Sequence, residues 1–169
     1  MELHDDIQLT YTVIILQQIN QWRSDRMSNV IITQLDPVKV PLVKRFYKEH
    51  YPIGKANKSE LIYSLSLDNE LCGVVRFRVI EDARLLTGMA ISKQHRGKHL
   101  GSKLMDYCAK HTLTNNDYCF AYAYLINFYT RHQFVPIPPK ELPNGLKVLF
   151  ERYSNSGKDL IPMHYQQNC

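Results

Sequence analysis

The 169-residue chain predicts a single domain of the α/β (α+β) class, with one mixed, mainly antiparallel sheet flanked by helices. Three observations predict it. Strand-like and helical patterns alternate along the whole chain, which suits neither an all-helical nor an all-strand fold. The apolar runs 60–67 and 71–80 are separated by little more than Asp68-Asn69-Glu70, a hairpin link that makes two neighbouring strands antiparallel. The length suits one full core and leaves little room for a second.

Taken in order, residues 29–35 alternate and are rich in β-branched side chains, the pattern of a first strand. Asp36-Pro37 then signals a helix start, Asp capping and Pro at the first helical position. Val40, Val43, Phe46 and Tyr47 form that helix's apolar stripe, which ends near His50, and residues 51–54 read as a loop. The hairpin strands follow, then a strand over 84–92. A helix over 102–113 turns Leu104, Met105, Cys108 and Leu113 inward. Residues 118–124 are an aromatic-rich strand, 125–132 a short helix, and 134–137 a strand stopped by prolines. Leu146, Leu149, Phe150 and Tyr153 give helical spacing to 142–153, with Gly157 as its stop, and 160–165 close the order β-α-β-β-β-α-β-α-β-α-β. Residues 1–28 mix a strand period with a helical one. They are read as an N-terminal extension, an appended helix, on a domain spanning 29–169.

Hydrophobic residues make up 44% of the chain, charged residues 22%, and the net charge is +5. This is the composition of a soluble globular protein, and the basic residues are too dispersed for a nucleic-acid footprint. The longest apolar run near the N-terminus, 13–16, cannot span a bilayer, and acidic Glu2, Asp5 and Asp6 beside it oppose a secretory signal. The chain is read as cytoplasmic, with no membrane partner. Cys72, Cys108 and Cys119 sit inside apolar patterns and, with Cys169, read as free thiols rather than a disulfide framework. His95 and His99 have helical ligand spacing, but Gly97 between them belongs to a turn, so no metal site is expected. The alternation of Tyr118, Phe120, Tyr122 and Tyr124 is read as one strand face packed on a helix.

The segment Gln94-His95-Arg96-Gly97-Lys98-His99-Leu100-Gly101 carries the functional signal. A strand, a basic glycine-bearing turn and a helix N-terminus make an anion cradle: unpaired backbone N–H groups and the helix dipole point at the guest. Arg96 and Lys98 add cations. A nucleoside-triphosphate P-loop would end in Lys-Ser/Thr after its second glycine, and a dinucleotide fingerprint needs three spaced glycines; neither is present.

The turn resembles that of the GNAT superfamily of acyl-CoA-dependent N-acyltransferases, whose pattern is Gln/Arg-x-x-Gly-x-Gly/Ala, through Gln94 and Gly97. Asn69 to Val75 resembles the family's hairpin, Thr87 to Ser92 its cofactor strand, and Phe128-Tyr129-Thr130-Arg131-His132-Gln133-Phe134 its Phe-Tyr-x-x-x-Gly-Phe segment. The resemblance covers roughly residues 29 to 137 and implies a GNAT-like fold. It also implies acetyl-CoA as acyl donor, a small-molecule or peptide amine as acceptor, and direct attack in a ternary complex. The coenzyme A contacts it implies are Met89, Ala90 and Ile91 on the strand, with Gln94, His95, Arg96, Gly97, Lys98, His99, Leu100, Gly101 and Ser102 in the cradle. Tyr129 corresponds to the tyrosine that protonates the leaving thiolate. An acyl-CoA-binding module without turnover is the alternative, since no general base stands out in the sequence. The acceptor is expected between 37–54 and 125–139, with Tyr47, Tyr51 and Lys55 as candidate lining residues, in a monomer or homodimer. Four features depart from the family pattern: His99 and Gln133 where small residues are usual, Tyr122 in place of an Asn, and the helix over 142–153 between the last two strands.

Overall fold

The computed structural model describes residues 14–18 and 29–167. Of the expected N-terminal extension only 14–18 fall within that range, as a helical turn with exposed side chains; the rest lies outside the described residues. From there the order is β1 (Val30–Gln34), α1 (Val40–His50), β2 (Leu61–Leu67), β3 (Glu70–Ile80), β4 (Ala83–Ile91), α2 (Leu100–His111), β5 (Asp117–Tyr122), α3 (Ile126–Arg131), β6 (Phe134–Pro136), α4 (Asn144–Asn155) and β7 (Leu160–Tyr165). This is the expected sequence of elements. The strands form one sheet in the order β1-β2-β3-β4-β5-β7-β6. Every neighbouring pair is antiparallel except β4 and β5.

The helices divide between the two faces because successive strand side chains point to opposite sides. Val74 of β3 and Ala90 of β4 pack under Val40, Val43, Phe46 and Tyr47 of α1. Ala83 and Leu85, on the same side, meet Leu146, Leu149 and Phe150 of α4. Val75, Phe77, Leu86, Cys119 and Ala121 face the other way, onto Leu104, Met105 and Cys108 of α2 and Tyr129 of α3. Cys72, Cys108 and Cys119 are free and buried, as the apolar patterns around them imply.

A buried ion pair anchors the junction of the two half-sheets. Arg84 and Asp117 are register partners at the start of the parallel β4–β5 pair. The Asp117 carboxylate is fully buried and accepts from Arg84 Nε at 2.5 Å and Nη2 at 2.6 Å, and from the Thr114 N–H at 2.8 Å. The guanidinium also donates to the Thr112 carbonyl and lies 4.9 Å from the centre of the Phe77 ring. From this pin the two strands pair only through Leu85–Tyr118 and Leu86–Cys119, and then part. Beyond Leu86, β4 stays with β3 while β5 stays with β7. The sheet therefore opens into a V, and the backbone groups inside it face a cavity rather than a neighbouring strand.

Candidate functional site

The V is lined on one side by 85–91 of β4 and on the other by 120–122 of β5, and encloses a cavity of about 770 Å³. A β-bulge sits at its centre. Val74 pairs with Ala90 and Arg76 with Thr87, so Gly88 and Met89 together oppose Val75 alone. Gly88 has φ +59°, and a Cβ there would lie 2.6 Å from Arg76 Nε and 2.7 Å from the Tyr47 hydroxyl. The bulge is held from behind by these groups. The buried Tyr47 hydroxyl donates to the Gly88 carbonyl at 2.5 Å and accepts from Arg76 Nε at 3.0 Å. Burial pushes the Tyr47 phenol well up from its ordinary value, so it remains a hydrogen-bond donor. Arg76 in turn donates Nη1 to Glu60 Oε2 at 2.5 Å, which also accepts from the Asn57 N–H at 3.0 Å.

One end of the cavity is the N-terminus of α2. His95, Arg96, Gly97, His99, Leu100, Gly101 and Ser102 line it, as do Met89, Ala90 and Ile91 of β4. Gln94 and Lys98 do not. Gln94 turns aside, its Nε2 3.3 Å from Glu70 Oε1. The helix has no side-chain cap at this end, so its first N–H groups are free to meet an anion. Gly97 has φ +77° with open space where a Cβ would stand. His99 takes φ 58° as a non-glycine residue, so the tight turn forms despite the departure at that position. Arg96 differs from the sequence reading. Its guanidinium donates to the Ile91 carbonyl through Nε and to the His50 carbonyl through Nη2, both at 3.1 Å. It ties the turn to β4 and α1 as well as supplying charge.

A charge placed in this turn tests the cradle directly. Gly97→Glu is expected to weaken coenzyme A binding more than 100-fold, because one like charge about 5 Å from a phosphate costs roughly 3 kcal/mol at an effective dielectric near 20. Gly97→Ala, which adds only the positive-φ strain, is expected to lose far less. Calorimetric titration with coenzyme A measures both, and equal affinities would place the phosphates elsewhere.

Tyr129 lies on the cavity wall at 8% exposure, packed edge-on against Phe128 and Phe134. Burial, reinforced by Cys119, Tyr51 and Tyr124, pushes its phenol well above the ordinary value. It therefore carries its proton throughout the neutral range.

The other end of the cavity lies on the α1/α4 face. Arg76, Arg78, Leu85, Phe120 and Tyr122 form its floor, residues 51–55 one wall, and Tyr153 with Lys158 beyond α4 the other. Tyr51 and Lys55 line it as expected, whereas Tyr47 is buried behind the bulge. The aromatic strand divides its labour. Phe120 packs on Phe150 and Tyr153, whereas Tyr122 and Tyr124 stack on each other at 5.7 Å and face the cavity. Sequence reasoning missed Glu60, Arg76 and Arg78. An arginine in a strand carries no sequence mark of which face it takes, and the clue was that Arg76 interrupts an otherwise apolar run.

Beside the turn, Glu70, Cys72 and His95 bring ligand-type atoms within 4.8 Å of one another. Burial raises the Cys72 pKa, which favours the thiol over the metal-binding thiolate. Among the described residues no helix is long and apolar enough to cross a membrane.

Residues 58–136 match the family model of the acetyltransferase (GNAT) domain. Among solved structures, the chain is similar to N-acetylglutamate synthase from Neisseria gonorrhoeae, complexed with coenzyme A and N-acetyl-glutamate. The TM-score is 0.65 and the identity 14%, over 83% of this chain and 36% of that one, so the chain spans about a third of that relative's length. It is also similar to the ribosomal-protein-S18-alanine N-acetyltransferase from Escherichia coli, with TM-score 0.58 and 13% identity over 83% and 96% of the two chains. A third similar structure is the PaiA N-acetyltransferase from Thermoplasma acidophilum in complex with coenzyme A, with TM-score 0.56 and 11% identity over 82% and 99%. These are likenesses of fold. Among curated proteins, no sequence matches this chain.

Proposed function

We propose that this chain, a member of the GNAT superfamily carrying its acetyltransferase domain, moves an acetyl group from acetyl-CoA to a primary amine by direct attack in a ternary complex. One observation carries the reading: a single cavity runs from an uncapped helix N-terminus, past a strand bulge, to a buried tyrosine. Coenzyme A is the cofactor whose parts match that run. Its phosphates suit the N–H groups of α2, and its pantetheine arm suits the polar edge of β4.

The residues then divide the chemistry. The amine nitrogen attacks the thioester carbon, and the carbonyl π pair moves to oxygen. Backbone N–H groups around Met89 and Ala90, stiffened by the Tyr47–Arg76–Glu60 chain behind the bulge, receive that negative charge. The tetrahedral adduct collapses, the C–S bond breaks, and the departing thiolate takes the proton of Tyr129. The amine's surplus proton leaves to water, and the Tyr129 phenolate regains a proton from water to close the cycle. Among the described residues Glu60 is the one carboxylate lining the cavity, and Arg76 neutralises it in place. The same observation favours the second reading, a binding module without turnover, because among the described residues it leaves no free carboxylate to act as base.

Incubation with acetyl-CoA and a mixed library of amines separates the two. The expected result is release of coenzyme A thiol together with amines heavier by one acetyl group. Tight coenzyme A binding with neither product would establish the binding module instead.

A further inference from the structure

The chemistry at the acceptor end identifies what kind of amine enters, given the transferase reading on which this inference rests. The register of β3 and β4 locates that end. Ile91, beside the cradle, pairs with Gly73, while Leu85 pairs with Arg78. At about 3.3 Å per residue, over the five residue steps of β3 between them, the Arg78–Leu85 pair stands roughly 17 Å down the strand from the phosphate cradle. Arg78 therefore serves the acceptor and not the coenzyme phosphates.

Charge at that end is one-sided. Lys55, Arg78 and Lys158 line it, all three are exposed, and none forms an ion pair among the described residues. They come from three separate elements: the loop after α1, strand β3, and the segment after α4. Among the described residues the opposing sign is missing, since Glu60 is the only carboxylate of theirs lining the cavity and it is already bound to Arg76 at 2.5 Å. Between the cations the surface is aromatic. Tyr122 and Tyr124 stack, Phe120 meets Tyr153 edge-on, and the Lys158 ammonium lies 4.5 Å from the Tyr153 ring centre.

A cavity of this kind repels a second positive charge on the acceptor. A polyamine, an aminoglycoside or a lysine-rich peptide would enter with cations facing cations and no carboxylate to receive them. We infer that the acceptor is an amino carboxylate with an apolar or aromatic body. Its amine is delivered to the bulge at Gly88, its body lies against the tyrosines, and its carboxylate is received by Arg78 with Lys55 and Lys158. Arginine suits this task because its planar fork pairs both oxygens of a carboxylate.

A matched set of amines tests this on the intact enzyme with acetyl-CoA: 4-(aminomethyl)benzoate, its methyl ester, and the corresponding bis(aminomethyl)benzene. They share one reactive amine and one ring, and differ in charge at the far end. The expected order of kcat/KM is carboxylate, ester, diamine, with roughly tenfold between carboxylate and ester, the yield of one charge-assisted hydrogen bond at a partly wet site. Raising the salt concentration should narrow that ratio. Arg78→Glu should bring the carboxylate-to-ester ratio to one or below, and Lys158→Glu should lower it severalfold. Because the readout is a ratio within each variant, a loss of folded enzyme cancels. A diamine preference, or an Arg78→Glu ratio equal to wild type, would overturn the inference while leaving the transferase reading standing. No acetylation of any member, with coenzyme A still bound, would overturn both.

Discussion

Tyr129→Phe is expected to lower kcat about 100-fold, at the modest end of what a positioned proton donor contributes, and to leave the KM for acetyl-CoA within a factor of two. The argument is local. Removing one hydroxyl preserves the ring that packs on Phe128 and Phe134, so neither the wall of the cavity nor the fold is disturbed. What is lost is the only proton that Tyr129 can supply to the departing sulfur. The pH dependence provides an independent readout. A phenol whose pKa is raised by burial is protonated below that value and loses its proton only above it. The group is thus competent through neutral and moderately alkaline pH, and wild-type kcat should show no alkaline fall from Tyr129 below about pH 10, the ordinary value for tyrosine. Steady-state kinetics on both proteins across pH decides the matter. A variant with turnover within threefold of wild type would show that the thiolate leaves with a proton from water.

Asp117→Ala should be the most destabilising of these changes, by about 3–5 kcal/mol, the usual result of removing one partner from a buried ion pair. For a domain of this size, at about 2–4 °C per kcal/mol, the melting temperature should fall by roughly 6–20 °C. The single change leaves the Arg84 guanidinium facing a void and frees the Thr114 N–H. The paired replacement Arg84→Met with Asp117→Leu removes both charges, and should recover much of the loss because nothing charged is then left unmatched. Thermal melts of Arg84→Met, Asp117→Leu and the double variant, read against wild type as a double-mutant cycle, measure the coupling. Additive losses would mean that the pair is not what pins β4 to β5. Since the V opens just past this pin, the single variant should also show weaker coenzyme A binding at temperatures well below its melting point.

Much of the architecture was legible because it rests on periodicity. The Leu61–Leu67 and Glu70–Ile80 strands are largely apolar runs buried on both faces, joined by residues that accept positive φ, Asp68 at 49° and Asn69 at 70°. Their pairing needs no information from elsewhere in the chain. The helix at Leu100 was likewise announced by its apolar spacing and by the glycine-bearing turn before it. The two places where the pattern wanted glycine show the limit of such reasoning. His99 and Gln133 adopt φ 58° and 67°, conformations that cost a non-glycine residue about 1–2 kcal/mol and that the surrounding packing imposes. Gln133 is held in part by its Oε1, which accepts from the Tyr165 hydroxyl at 3.1 Å. A sequence pattern records what a turn prefers, and the folded chain can force a less favoured residue through the same turn.

The sequence by itself determined the order of elements and the strand-turn-helix with its uncapped N–H groups, because each depends on residues close together in the chain. Only the tertiary structure decided where the sheet splits, what stiffens the bulge, and which cations line the cavity. Arg84 lies 33 positions from Asp117, Tyr47 lies 29 from Arg76, and Arg76 lies 16 from Glu60. A charged residue leaves no periodic trace of a partner that far away. Its role, as an anchor, a brace or a receptor for substrate, is set by which face of the sheet it occupies and by what the neighbouring strands bring beside it.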